Sequence, residues 1–267
     1  MSDRLDIRSF TVGPVQENAY IVRLPGAGTD PGGASPAVLI DPGDEPDRLL
    51  TAIEQLGVQI EAILITHCHF DHIGAVAPLA RATGASVYCP EIERPMLENI
   101  ALGTPPGFGP FESYTPEHTV GGGERLRLAD LDIEVIFTPG HSPGHVTYAI
   151  DGATASSPGA VAVWEGERVA PSMEPVLFSG DVLFQGSIGR TDLPFADHPT
   201  LERSLATLID TFPPATTVYP GHMGITTLQR ELATNPFLVE IRAERQSPTP
   251  AAVREAEPAR GGLPGGS

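Results

Sequence analysis

Apolar and polar residues alternate along Leu5 to Val12 and Asn18 to Leu24, on either side of Gly13-Pro14, a pattern that predicts two strands joined by a turn. A Gly/Pro/Ala-rich loop follows from Pro25 to Pro36. Val38-Leu39-Ile40 then reads as a short strand stopped by Asp41-Pro42-Gly43. Leu49, Leu50, Ile53 and Leu56 recur at helical spacing, which predicts a helix over Asp47 to Leu56. Ile60 to Thr66 reads as a strand, Ala75 to Ala82 as a helix and Ala85 to Cys89 as a strand. The signal weakens over Glu91 to Leu102, a possible helix, and Gly103 to Pro110 must be loop, because three prolines and three glycines fall there.

Further strands are expected at Leu126 to Leu128, Ile133 to Phe137, Val146 to Ile150 and Val176 to Phe178. Gly152 to Ser172 reads as an edge hairpin or loop around Val161 to Trp164. Leu201, Leu205, Leu208, Ile209 and Phe212 share a helix face, Thr217 to Tyr219 is a strand, and Thr226 to Ala233 begins a last helix. Strands alternating with helices twice over argue for two sheets inside and helices outside, although a single open sheet fits the same periodicity. Residues 1–242 form one domain in this reading. Residues 243–267, rich in proline, glycine, alanine and charge, bury too little to offset ordering and are expected to be a flexible tail.

Composition narrows the partners. The net charge is −18, from 34 acidic and 16 basic residues, so nucleic acid and anionic membrane surfaces are disfavoured. All 16 basic residues are arginine, which excludes lysine Schiff-base chemistry and a phosphate loop ending in Gly-Lys-Ser/Thr. No signal-peptide pattern or run of about 18 apolar residues is seen, and a cytoplasmic protein without a membrane span is expected. Cys68 and Cys89 are no disulfide framework; Cys68 reads as a small buried residue and Cys89 as core without a visible partner.

The segment Thr66-His67-Cys68-His69-Phe70-Asp71-His72 lies between a strand and a helix. At strand spacing His67 and His69 point the same way, and a turn after Phe70 brings Asp71 and His72 round from another side, so the group can feed two adjacent metal positions. Three more ligand-type residues follow short apolar strands and small turns: Thr138-Pro139-Gly140-His141, Ser179-Gly180-Asp181 and Pro220-Gly221-His222. A lone histidine is more often packed or solvated than a ligand. Five histidines and two aspartates at four strand ends reverse that balance, and the absence of a cysteine cage argues against a purely structural ion. Of the remaining histidines, His118 is expected to be solvated or a loop contact, His145 to orient a ligand or to be structural at a strand start, and His198 to lie at the surface or a helix start. Arg190 and Asp192 are expected to pair, and Tyr219 to reach the site or pack beneath it.

These motifs, with Phe178 to Phe184, Gly189-Arg190-Thr191-Asp192 and Asn235-Pro236-Phe237, resemble the metallo-β-lactamase superfamily, and within it the short bacterial form of the glyoxalase II-like thioesterases. The resemblance covers Asp6 to Leu238. It implies an α/β fold of four layers, the αββα sandwich. It implies that His67, His69 and His141 bind one metal ion, that Asp71, His72 and His222 bind a second, and that Asp181 bridges them. Two divalent ions are expected, zinc first, with iron or manganese also admissible. Asp71 would act in catalysis by orienting a hydroxide held between the ions, and the substrate would be a small thioester, an acyl-thiol conjugate. Rival activities are a one-iron persulfide (sulfur) dioxygenase and a β-lactamase or lactonase; a nonenzymatic metal-stabilised scaffold is the third alternative. After His222, Arg230, Arg242 and Arg245 are the basic residues available to a glutathione moiety, with Arg254 and Arg260 lying further along the expected tail.

Overall fold

The structure, a computed structural model, describes residues 5–24, 34–151, 161–164, 167–169, 175–239 and 241. The expected tail, most of the Pro25 to Pro36 loop and much of Gly152 to Ser172 lie outside the described residues.

The opening hairpin is β1 (Asp6–Val12) and β2 (Glu17–Arg23), followed by β3 (Ser35–Ile40), α1 (Pro46–Leu56) and β4 (Val58–Leu64). A one-turn helix, α2 (Phe70–Ile73), leads into α3 (Val76–Thr83) and β5 (Ser86–Pro90). Glu91 to Leu102 is broken: a 3-10 turn at Glu91–Glu93, the short α4 (Arg94–Glu98), and a second 3-10 turn at Ile100–Leu102. Then come β6 (His118–Val120), β7 (Arg125–Leu128), β8 (Leu131–Phe137) and β9 (Val146–Ile150). β10 (Val161–Trp164), β11 (Glu167–Val169), β12 (Val176–Gly180), β13 (Leu183–Phe184) and β14 (Ser187–Ile188) precede α5 (His198–Thr211). β15 (Thr217–Pro220), β16 (Thr226–Thr227) and α6 (Leu228–Thr234) complete the order.

One sheet runs β11-β10-β1-β2-β3-β4-β5-β6, the other β16-β15-β12-β9-β8-β7. β10 and β11 form the expected hairpin at the first sheet's edge, β10 pairing parallel with β1. Three apolar clusters separate the layers. Val22, Val38, Ile40 and Leu64 of the first sheet meet Ile133, Val135, Tyr148, Ile150 and Phe178 of the second. Leu39, Ile63 and Val87 face outward onto Leu49 and Ile53 of α1 and Val76 and Leu79 of α3. Leu177 and Val218 face the other way, onto Leu201, Leu205 and Leu208 of α5 and Leu228 of α6. Helices thus cover both outer faces, and the order is αββα. Ala37 to Ile40 of β3 and Ala62 to Leu64 of β4 are continuous apolar runs because a parallel strand covered on both faces has no solvent side, whereas Gln59 and Glu61 at the start of β4 are exposed.

Pairing jumps from Ala37–Ile60 to Val38–Ala62, a bulge at Glu61 that reverses which face β4 residues take. That switch turns Ile60 toward the helices and Ala62 toward the second sheet. The spared Glu61 carboxylate accepts the Ala129 N–H at 2.9 Å across the sheets. The helices end where local chemistry stops them. Gly57 closes α1 in the left-handed region, and Asp197 caps α5 by accepting the Thr200 N–H at 2.9 Å.

β6 and the β13–β14 hairpin were absent from the sequence-based expectation: their two or three residues carry no readable period. His118, expected to be solvated or a loop contact, is exposed but lies on a strand and stacks on Tyr88. Among the described residues no helix is long and apolar enough to cross a membrane.

Candidate metal centre

The functional rim forms where strand ends of both sheets meet. His67 to His72 follow β4, His141 follows β8, Asp181 follows β12 and His222 follows β15. The His222 turn is tied across the sandwich to β2. Asn18 donates to the Pro220 and Met223 carbonyls, and the buried Tyr20 hydroxyl donates to Pro220 O at 2.7 Å. Tyr219 packs beneath this turn, buried against Tyr20 and Phe178.

All seven residues expected at the site come together. His69 Nδ1 lies 3.0 Å from His67 Nε2 and 2.9 Å from His141 Nε2. Asp181 Oδ2 is 3.4 Å from His141 Nε2 and 3.6 Å from His222 Nε2, while its Oδ1 is 3.4 Å from His72 Nε2. Asp71 Oδ2 is 3.3 Å from His222 Nε2 and 3.9 Å from His72 Nε2. Two trios therefore meet at one carboxylate.

The outer ring nitrogens decide which lone pairs face inward. Thr66 donates its hydroxyl proton to Asp41 at 2.6 Å, so its oxygen accepts from His67 Nδ1 at 3.1 Å. His72 Nδ1 donates to Asp41 at 3.1 Å, His141 Nδ1 to Arg190 O at 2.8 Å, and His222 Nδ1 to Gln16 O at 3.3 Å. In its neutral form each of these four rings presents a bare Nε2 to the centre, with His69 presenting Nδ1. Three inward nitrogens within about 3 Å cannot all be satisfied by one shared proton. His72 Nε2 and Asp181 Oδ1 are likewise buried without a hydrogen-bond partner. This donor set of imidazole and carboxylate fits divalent cations.

His145 is not part of that set. Its Nε2 accepts the Asp181 N–H at 3.1 Å, its Nδ1 meets Thr138 Oγ1 at 3.1 Å, and its ring stacks on His67. It orients, and does not ligate. Arg190 and Asp192 form the expected pair on the surface; it is the Arg190 carbonyl that touches the site. His198 stands at the start of α5, as expected.

Asp41, Thr66 and Glu17 were missed as site residues. Asp41 holds His72 and the Thr66 amide together, and Glu17 lies 3.8 Å behind His72. Burial pushes the Glu17 carboxyl well up, against the pull of His72. Cys89 also has a partner after all: its Sγ is 3.5 Å from Cys68 Sγ, both thiols buried.

Gly180 must be glycine. Its φ of +46° is left-handed, and a Cβ there would lie 2.4 Å from Thr66 Oγ1 and 2.7 Å from His145 Nε2. Gly180→Ala is expected to cost about 2–5 kcal/mol, against about 1 for Gly57→Ala, whose φ is similar but whose Cβ meets open space; urea unfolding compares them.

A family model described as the metallo-beta-lactamase superfamily matches residues 12–155. The chain belongs to the metallo-beta-lactamase superfamily. It is 33% identical over 205 residues to the hydroxyacylglutathione hydrolase GloC of Haemophilus influenzae, covering 76% of this chain and 87% of that protein. Among solved structures, BLEG-1 B3 metallo-beta-lactamase is 35% identical with a TM-score of 0.72, over 87% of this chain and 99% of that one. TTHA1623 in a di-iron-bound form is 40% identical with a TM-score of 0.63, over 86% and 99%. Membership in this superfamily makes the chain a metal-dependent hydrolase.

The charge pattern separates the two trios. Burial, reinforced by neighbouring histidines, lowers the His67 and His69 imidazoles, His69 to about 4. Burial also opposes charge on His72 and His222, but the Asp71 and Asp181 carboxylates outweigh it and both are raised. The second trio of the metal-free protein thus holds on His72 a proton that a cation must displace. Its affinity should climb as pH rises through neutrality, with protons released. His67 and His69, already neutral, should add no pH dependence to the first position between about pH 5 and 7. Calorimetric titration in buffers of different ionisation enthalpy reads the release; equal release at both steps would contradict this.

Proposed function

We propose that this hydrolase cleaves a small thioester, an acyl-thiol conjugate, with two cations held by the seven residues. His67, His69 and His141 would hold the first, Asp71, His72 and His222 the second, and Asp181 faces both sets. Zinc is the first choice; the di-iron form of TTHA1623 makes iron the alternative. When bound, the ions supply Lewis acidity toward the substrate carbonyl and lower the pKa of water.

The chain's own groups do the rest. Asp71 is placed to accept a hydrogen bond from the attacking water. Burial raises its carboxyl, but His72 and His222 more than compensate, so it stays ionised and available. The C–S bond breaks to release a thiolate, which is a weak base and needs little proton donation. Arg230, the only described arginine after His222, sits against the Gln185 amide. No cluster of cations is therefore on hand for a large anionic carrier among the described residues of that segment.

The observation that carries this reading is the pair of His/Asp trios sharing Asp181, taken with the 33% likeness to a hydroxyacylglutathione hydrolase. The likeness to BLEG-1 favours a second reading, β-lactam hydrolysis, at the same site. Turnover of the metal-loaded protein on a panel of acyl-glutathione and other acyl-thiol conjugates, β-lactams and lactones decides between them. Thioesters should be preferred by kcat/KM; preference for lactams would overturn the proposal. On the preferred substrate Asp71→Ala should lower kcat about 10²- to 10⁴-fold with the fold intact by circular dichroism, and unchanged turnover would remove Asp71 from the mechanism.

A further inference from the structure

Two buried loops carry the first trio, and they come from different sheets. His67 and His69 follow β4 of the first; His141 lies between β8 and β9 of the second. Neither β-ladder joins them at this point. Besides the Val146 N–H bond to Thr66 O at 2.9 Å, what joins them is Glu93, the last residue of the 3-10 turn after β5, only 4% exposed. Its Oε2 accepts the N–H of Cys68, the residue between His67 and His69, at 3.3 Å. Its Oε1 accepts the N–H of Gly144, three residues beyond His141, at 2.7 Å.

We propose that Glu93 is a positioning residue for the first cation site, a carboxylate staple that sets the spacing of His67 and His69 against His141. The proposal rests on the two-trio reading of the metal centre and is independent of the substrate. The contact is built at both ends. A Cβ on Gly144 would come within 2.8 Å of Glu93 Cγ and Ile92 Cβ, so a glycine permits the close approach. Cys68 is held from its other side by the thiol of Cys89, near the end of β5, 3.5 Å away. The end of β5 and the turn after it therefore grip Cys68 by side chain and amide together.

A carboxylate suits this place because two backbone donors converge on it and both of its oxygens accept. An amide offers one acceptor and turns an NH₂ toward the other N–H. Glu93→Gln keeps the volume and loses one arm of the staple. None of the second trio, Asp71, His72 and His222, is hydrogen-bonded to Glu93, so loosening should be confined to the first position.

The test uses the full chain stripped of metal and titrated with zinc against a chromophoric chelator. Imidazole nitrogen resonances of His67 and His69 report filling of the first position, and those of His72 and His222 the second. Glu93→Gln should weaken the first by roughly 10- to 100-fold and leave the second within about threefold of the parent. Equal loosening of both positions would make Glu93 a general fold residue and overturn the proposal; so would no loosening at either. Should the variant fail to fold, amide hydrogen exchange in the metal-loaded parent decides. The Cys68 and Gly144 amides should be strongly protected, and exchange of either at the rate of an exposed loop would overturn the staple. A parent that fills the first trio alone would count against the two-cation reading, while the Glu93→Gln comparison on that trio would still decide this one.

Discussion

Asp181→Asn should lower turnover by about 10³-fold without unfolding the protein, the largest kinetic effect expected of any single conservative change here. Asp181 is the carboxylate that faces both trios, with Oδ2 toward His141 and His222 and Oδ1 toward His72. Burial raises its carboxyl, yet His72, His222 and His141 drive it far below the ordinary range, so the negative charge is retained in the interior. Asparagine keeps the shape and removes the charge. It also replaces one ligating oxygen with an NH₂ that has no lone pair for a cation, so both positions would weaken together. Steady-state kinetics at saturating metal, beside a thermal melt, measure the two consequences separately. Retention of turnover within about tenfold would remove Asp181 from its bridging role.

Removing the metal should produce the largest change in stability. Without a cation the site holds inward lone pairs within about 3 Å of one another and two buried atoms with no partner. A cation that binds only the folded chain, present at a thousand times its dissociation constant, adds about 4 kcal/mol. In a chain of this size each kcal/mol moves the melting temperature by roughly 2–4 °C, so one site is worth about 8–16 °C and two sites more. Calorimetric melts before and after chelation, with re-addition of zinc restoring the transition, check this. An unchanged melting temperature would mean that the side chains satisfy one another unaided.

The layered architecture was legible because each buried strand is short, apolar and closed by proline or glycine, and α1 and α5 carry clear helical stripes. The ligands were legible for a related reason. His67 to His72 are dense enough to defeat a packing explanation, and His141, Asp181 and His222 each follow a strand and a small turn. Asp41 also stands at a strand end, but before its Pro42-Gly43 turn and not after it, and it serves His72 and Thr66 instead of a metal. Glu93 had no local signal at all. Its partners, Cys68 and Gly144, are backbone amides 25 and 51 residues away, and a backbone donor leaves no mark in a sequence. The Cys68–Cys89 contact was hidden likewise, because parallel pairing of β4 with β5 had to be known before the two thiols could be set side by side.

We propose that two cations sit side by side on the shared Asp181 carboxylate. Anomalous diffraction at the zinc edge, from crystals of the zinc-loaded protein, tests it most directly. Two peaks are expected, one coordinated by His67, His69 and His141, the other by Asp71, His72 and His222, with Asp181 touching both. A single peak at only one trio, or peaks whose ligands leave out Asp181, would contradict the account.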